Sequence, residues 1–254
     1  MEGRTQFRML LKSHGSKGFR FIMSHTICIV SATRRSKEDF WNNAPLAYSL
    51  KKMTNGIDNH VYYQNSLGLS EVYNRALEQF KGYYDYLVFV HDDVVIEDLF
   101  LDDKLEMGMS QADIIGLAGS KEMDLNAPML AWHLMSPRES HCGEVAHSKD
   151  GKNWTTCFGP TRSQVLCLDG LFLAVNVKKL HEKQVSFDQS FKFHHYDLDF
   201  CCSAHKAGLK MAVMPIRVTH FGLGDSMNSK EWKDSGDLFR KKWNNSDMKQ
   251  ERQG

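Results

Sequence analysis

Five consecutive apolar residues, Tyr86-Leu87-Val88-Phe89-Val90, run straight into His91-Asp92-Asp93 and resume as Val94-Val95-Ile96. So short and uniformly apolar a run reads as a strand buried on both faces, the habit of a sheet covered by helices. Two carboxylates at its end fall where open α/β sheets gather ligands, and adjacent aspartates there can share a hard divalent cation with a diphosphate. The competing reading is a plain turn, since Asp favours turns and helix starts.

The flanking segments fit the same layering. Ile27-Cys28-Ile29-Val30 ends in Ser31-Ala32-Thr33, a first buried strand whose small and hydroxyl residues open a loop at a ligand rim. Pro45 suits the first turn of a helix carrying Leu46, Tyr48 and Leu50, and Val61-Tyr62-Tyr63 supplies a second strand. Leu69, Val72, Tyr73, Ala76, Leu77 and Phe80 then fall at helical spacing, with Gly82 placed to close that helix. This alternation predicts an α/β fold, Rossmann-like in outline, with a mostly parallel central sheet and helices on both faces.

Further along, Leu101, Leu105 and Met109 mark a short helix, while 114–118 and 165–168 read as strands. Residues 120–162 lose periodicity and collect Gly, Pro, Trp, His and Asn, which predicts a long irregular insert of functional importance. Trp232, Phe239 and Trp243 share one face of a helix expected to pack back on the domain, followed by a polar, mobile tail from Asn244. The expected organisation is an extension over 1–23, one domain over 24–227, and a C-terminal helix and tail over 228–254.

With 254 residues, 42% of them hydrophobic, the chain can bury a sizeable core. A formal net charge of +1 gives no global drive toward nucleic acid, so none is expected as a partner. The six cysteines form no CxxC pattern and several sit in apolar runs, which reads as free thiols in a reducing compartment. His133, His141 and His147 with Cys142 and Cys157 match no zinc spacing. Without an apolar run of membrane-spanning length, the chain is expected to be cytoplasmic; its basic first residues allow at most peripheral contact with the inner face of a membrane.

A second constellation lies at His194-His195-Tyr196-Asp197-Leu198-Asp199, opening a helix, followed by Met211 to Met214 and by a segment ending at His220. Capping and the helix dipole alone account for acids at a helix start. Taken jointly, however, Asp92-Asp93, Asp169-Gly170, Asp197-Leu198-Asp199 and His220, in that order, resemble the family 2 glycosyltransferases of GT-A fold. Within them the chain is similar to the small bacterial glycosyltransferase-like branch, over Thr26 to Phe221.

That resemblance implies a single GT-A-like domain and a metal-dependent, inverting transfer from a nucleotide-sugar donor to a glycan, lipid-linked or other hydroxyl acceptor. It implies that Asp93 binds the cation, Mn2+ or Mg2+, that His220 completes the coordination, and that Asp92 faces the ribose or shares the metal. Asp197 matches the catalytic base, Ser31 and Thr33 the loop holding base and ribose, and Asn65 a uracil or ribose contact. Asn74 is expected to point toward the same cleft. Asp169 and Gly170 resemble residues lining the sugar or acceptor pocket, where glycine permits close backbone approach. Many relatives carry Glu where Tyr196 stands, and the Gln-x-x-Arg-Trp signature of processive members is absent, so one sugar per encounter is expected. Two alternatives stay open: a nucleotidyltransferase using Arg34 and Arg35, and a catalytically silent glycan-binding module of the same fold.

Overall fold

The computed structural model describes residues 25–53, 56–222, 227 and 229–243. The expected extension over 1–23 and the tail from Asn244 lie outside them.

The sheet begins as the apolar runs predict. Strand β1 (Ile27–Ala32) leads through helices α1 (Lys37–Asn43) and α2 (Pro45–Lys52) to β2 (Asp58–Tyr62), then through α3 (Leu69–Gln79) to β3 (Tyr86–Val90). Every β3 residue is buried, and α3 sinks Val72, Tyr73, Ala76 and Leu77 into the core. The Ser36 side chain caps α1 by accepting from the Asp39 N–H, and Pro45 opens α2, where its missing N–H costs nothing. Past β3 come β4 (Val94–Ile96), α4 (Leu101–Met109), β5 (Ile114–Gly116) and β6 (Ala118–Ser120).

Residues 120–162 depart from the expected irregular insert. They contain a two-stranded arm, β7 (His141–Lys149) and β8 (Lys152–Cys157), closed by a two-residue turn at Asp150-Gly151. Both turn residues have positive φ, 51° and 75°, the backbone a tight hairpin turn of matching twist requires. Then follow β9 (Ser163–Val165), β10 (Cys167–Leu168), β11 (Phe172–Asn176), α5 (Val177–Glu182), α6 (Tyr196–Lys206), β12 (Met211–Val213), β13 (Val218–His220) and α7 (Lys230–Trp243).

Two sheets result. The larger has the order β2-β1-β3-β11-β5-β12-β9. It is less parallel than the strand–helix alternation implies: β2, β1 and β3 run parallel, as do β5 and β12, but β11 is antiparallel to both its neighbours. The cause is the direction of entry. The chain reaches β11 from β10 in the second sheet, so Phe172 starts opposite Val90, at the carboxyl end of β3. This route carries Asp169 and Gly170 to the same sheet end as Asp92 and Asp93.

The second sheet has the order β10-β6-β7-β13-β4, with β8 paired to β7. Its strand β13 lies between β4 and β7, placing His220 opposite both Val94 and His147. Helix α7 packs back on the domain through buried Phe239 and Trp243. Its end is clasped to α6 by the buried Asp199, whose Oδ1 accepts from Trp243 Nε1 at 2.8 Å and from Lys242 Nζ at 2.7 Å. Lys242 also reaches Asp188 at 2.8 Å. Burial raises the Asp199 pKa against the pull of Lys242. For Lys242, burial works downward, but its two carboxylate partners outweigh it and the pKa is raised.

Candidate active site

The corner between β3, β4 and β13 brings Asp93 and His220 together, with Oδ2 of the acid 3.3 Å from Nε2 of the imidazole. Burial by itself would raise the Asp93 pKa. The hydrogen bond to His220 and the charges of His91 and His220 outweigh it and hold the carboxyl below its ordinary range. The other oxygen, Oδ1, is buried with no hydrogen-bond partner. A buried carboxylate oxygen without a donor is costly unless something cationic meets it. Gly222 closes over this corner: a Cβ there would overlap Asp93 Oδ2 and lie 2.7 Å from His220 Nε2. One ionised oxygen ligand, one imidazole nitrogen and a cradle kept free of side chain fit a divalent ion of manganese type. Among the described residues no group of three or more His, Cys, Asp or Glu gathers as a metal cluster, so oxygen atoms of a ligand or water would complete the shell.

A cleft of about 440 Å³ opens on one side of this corner, lined among others by Thr33, Arg34, Arg35, Asn65, Asp92 and Asp93. The Thr33 hydroxyl donates to Asp92 Oδ2 at 2.5 Å, locking the carboxylate against the end of β1. The Asn65 backbone N–H donates to Thr33 O at 2.8 Å, while its side chain closes its own loop onto Leu67. Two expected cleft residues sit elsewhere. Ser31 is fully buried inside β1, a step back from Thr33 at the strand end, and does not border the cleft. Asn74 faces the opposite direction and clamps the Phe187 backbone, donating to its carbonyl at 2.7 Å and accepting its N–H at 2.9 Å.

A second cavity, of about 600 Å³, lies on the other side and shares His91 and Asp93 with the first. Its walls include Trp132, His133, Trp154, Phe158 and Asp169. Asp169 is held at both oxygens, by Trp132 Nε1 at 2.7 Å and by the Leu171 N–H at 2.9 Å. One layer back, Asp197 accepts from the Gly170 N–H and from the Leu198 N–H, each at 2.9 Å. Its pKa is nevertheless pushed up to about 7, first by burial and then by the negative charge of Asp169. Gly170 makes room for protein: a Cβ there would lie 2.8 Å from Tyr196 Cζ, so the close approach expected toward a ligand is taken by the Tyr196 ring.

Tyr196, in the place where relatives carry Glu, acts as a brace. Its hydroxyl donates to Gly170 O at 2.9 Å and sits 3.1 Å from His91 Nε2, tying the end of β3 to the turn before β11. Burial lowers the His91 pKa, against the opposing pull of the Asp93 and Asp169 carboxylates. His195, just before the helix, holds a left-handed φ of 59°, a strained conformation for a non-glycine residue. It is fastened from α7, its Nδ1 lying 2.9 Å from the Ser235 hydroxyl, which itself donates to His194 O at 2.8 Å.

The structure thus gathers Thr33, Asn65, Asp92, Asp93, Asp169 and His220 around one pair of cavities, with Gly170 and Asp197 packed behind Asp169. Sequence reasoning missed His91, Tyr196 as a brace, and Phe193, which lines the smaller cleft with Arg34 over its ring. For His91 the signal was its position beside the aspartate pair at the end of a buried strand.

Residues 35–251 match the profile of a family described as "Glycosyltransferase like family". Among solved structures, S. aureus TarS 1–349 in complex with UDP is similar with a TM-score of 0.52 at 14% identity, over 88% of this chain and 67% of that one. A longer S. aureus TarS structure gives 0.50 at 12% identity, over 88% of this chain and 40% of that one. A Drosophila galactosyltransferase 7 mutant in complex with manganese, UDP-Gal and xylobiose gives 0.44 at 12% identity, over 80% and 68%. The likeness to TarS establishes a shared GT-A-like fold. No functionally curated protein matches the sequence.

Proposed function

The chain belongs to the glycosyltransferase-like family, and from that premise we propose that it moves one sugar from a nucleoside-diphosphate donor to an acceptor hydroxyl, with inversion and with a divalent cation. The observation that carries this reading is the shared wall: the two cavities meet at His91 and Asp93, beside the His220 imidazole. A donor in the smaller cleft places its diphosphate at Asp93, and an acceptor in the larger one approaches the same point from the other side.

Asp93 and His220 would hold a divalent cation, which would supply positive charge for the departing diphosphate. The chain's own groups do the rest. Thr33 fixes Asp92, whose carboxylate is oriented for a ribose hydroxyl. Asp197 takes the proton of the acceptor hydroxyl on a carboxylate oxygen, the acceptor oxygen bonds to the anomeric carbon, and the bond from that carbon to the diphosphate oxygen breaks. One displacement inverts the centre. A base with a pKa of about 7 is well matched to neutral pH. Asp169 lines the acceptor cavity and sustains that pKa through its charge. The pairing of imidazole with carboxylate favours manganese over magnesium. The six free thiols, five of them buried, fit a reducing compartment such as the cytoplasm.

The test is release of nucleoside diphosphate from UDP-, GDP- and dTDP-sugars with and without manganese, with the anomeric configuration of any product read by NMR. Metal-dependent release of the diphosphate is expected. Release of pyrophosphate would instead establish the nucleotidyl reading. Neither product, and no rise in melting temperature with any donor, would refute catalysis at this site.

A further inference from the structure

The hairpin arm carries an aromatic row that the transfer chemistry does not use. Trp154 on β8 faces His147 on β7, and His147 faces His220 on β13, in register across three adjacent strands. The Trp154 and His147 rings stack, with centroids 5.2 Å apart and planes 17° from parallel; His147 and His220 centroids are 5.7 Å apart. At the usual strand spacing, Trp154 therefore stands about 10 Å from His220. It is 40% exposed, on an edge strand, yet borders the larger cavity.

We propose that Trp154 is the platform on which a hexopyranose ring of the acceptor stacks, so that the acceptor is a carbohydrate chain whose terminal sugar lies between the hairpin arm and Asp93. This rests on the transferase reading. Two observations carry it. Trp154, Asp93 and His220 border one and the same cavity, so a ring lying against the exposed part of Trp154 shares that cavity with the metal corner. Polar groups interrupt the aromatic wall: Thr156, on the same face as Trp154, and Asp169 also border this cavity. A sugar ring presents C–H groups to an aromatic face and hydroxyls around its edge, matching that mixture; an acyl chain would leave the polar groups unpaired.

The experiment uses the full chain with manganese and UDP, and methyl hexopyranosides and reducing-end methyl disaccharides as probes. Tryptophan fluorescence reads binding; product formation reads the acceptor KM. The wild type is expected to show saturable quenching with at least one probe. Trp154→Ala should lose it and raise the acceptor KM about tenfold, or about 1.4 kcal/mol, while Trp154→Phe restores most of it. The melting-temperature rise given by UDP with manganese should persist in Trp154→Ala, showing an intact donor side. An acceptor KM unchanged in Trp154→Ala, or no quenching of the wild type by any glycoside despite metal-dependent UDP binding, would overturn the platform. Absence of UDP binding by the wild type would overturn the transferase reading itself.

Discussion

Replacing Asp197 with Asn should separate activity from stability in a way that pH exposes. In the folded chain this carboxyl has its pKa pushed up to about 7, against about 3.9 when unfolded. The native state therefore keeps a proton that the unfolded chain gives up. Stability from this group is fully present below about pH 4, is lost as pH rises toward 7, and levels off above that. Between about pH 5 and about pH 8 the loss is at most about 3 kcal/mol, two pKa units at about 1.4 kcal/mol each, with solvent at the half-buried side chain reducing it. Asn has no such titration. It carries a fixed cost instead, because its amide nitrogen must face one of the two N–H donors, Gly170 or Leu198, that the carboxylate satisfies.

That fixed cost cancels when the same two proteins are compared at two pH values. Urea unfolding of wild type and Asp197→Asn at about pH 5 and about pH 8 should show the difference moving toward the variant by up to about 3 kcal/mol. Over the same range the wild-type kcat/KM should climb with a midpoint near the Asp197 pKa of about 7, and the variant should fall about 10²–10⁴-fold at the plateau. A stability difference independent of pH would refute the raised pKa. Full turnover by the variant would remove Asp197 as the base.

Asp93→Asn should abolish the melting-temperature rise that manganese gives with UDP, since it takes away the ionised oxygen while leaving an isosteric side chain; a retained shift would move the cation elsewhere. Gly222→Ala should reproduce that loss with little change in urea midpoint, because the added carbon intrudes on Asp93 and His220 and not on the core; unaltered metal-dependent binding would contradict the cradle. Lys242→Met should cost about 3 kcal/mol in urea unfolding by stranding the Asp199 carboxylate; a change below about 0.5 kcal/mol would show the clasp to be dispensable.

Where burial dictates side-chain choice, the fold was legible. β1 and β3 are covered on both faces and read as uninterrupted apolar runs, and α3 and α7 show their inward stripes at helical spacing. The arm was opaque for the complementary reason: β8 is largely exposed, so backbone pairing with β7 holds it and little apolar pattern marks it. Asp150-Gly151 was the available sign, since an acid–glycine pair is a strong hairpin signal even between weakly patterned strands. At the site, the acids could be read because carboxylates stand out beside apolar strands. Ser31 and Asn74 were misplaced because residue type says what a side chain can bond, not how deep in a strand or on which face of a helix it sits. Gly170 shows the same ambiguity, its missing Cβ accommodating Tyr196.

The clasp between α6 and α7 has a consequence for how the molecule comes into being. Helix α6 is fastened by Lys242 and Trp243 through Asp199 in its first turn and by Ser235 through His195 at its N-cap, all from a segment made 40 to 44 residues later. A nascent chain leaving the ribosome would thus complete both sheets while that helix is still unsecured, and competence would arrive only once α7 has emerged and docked.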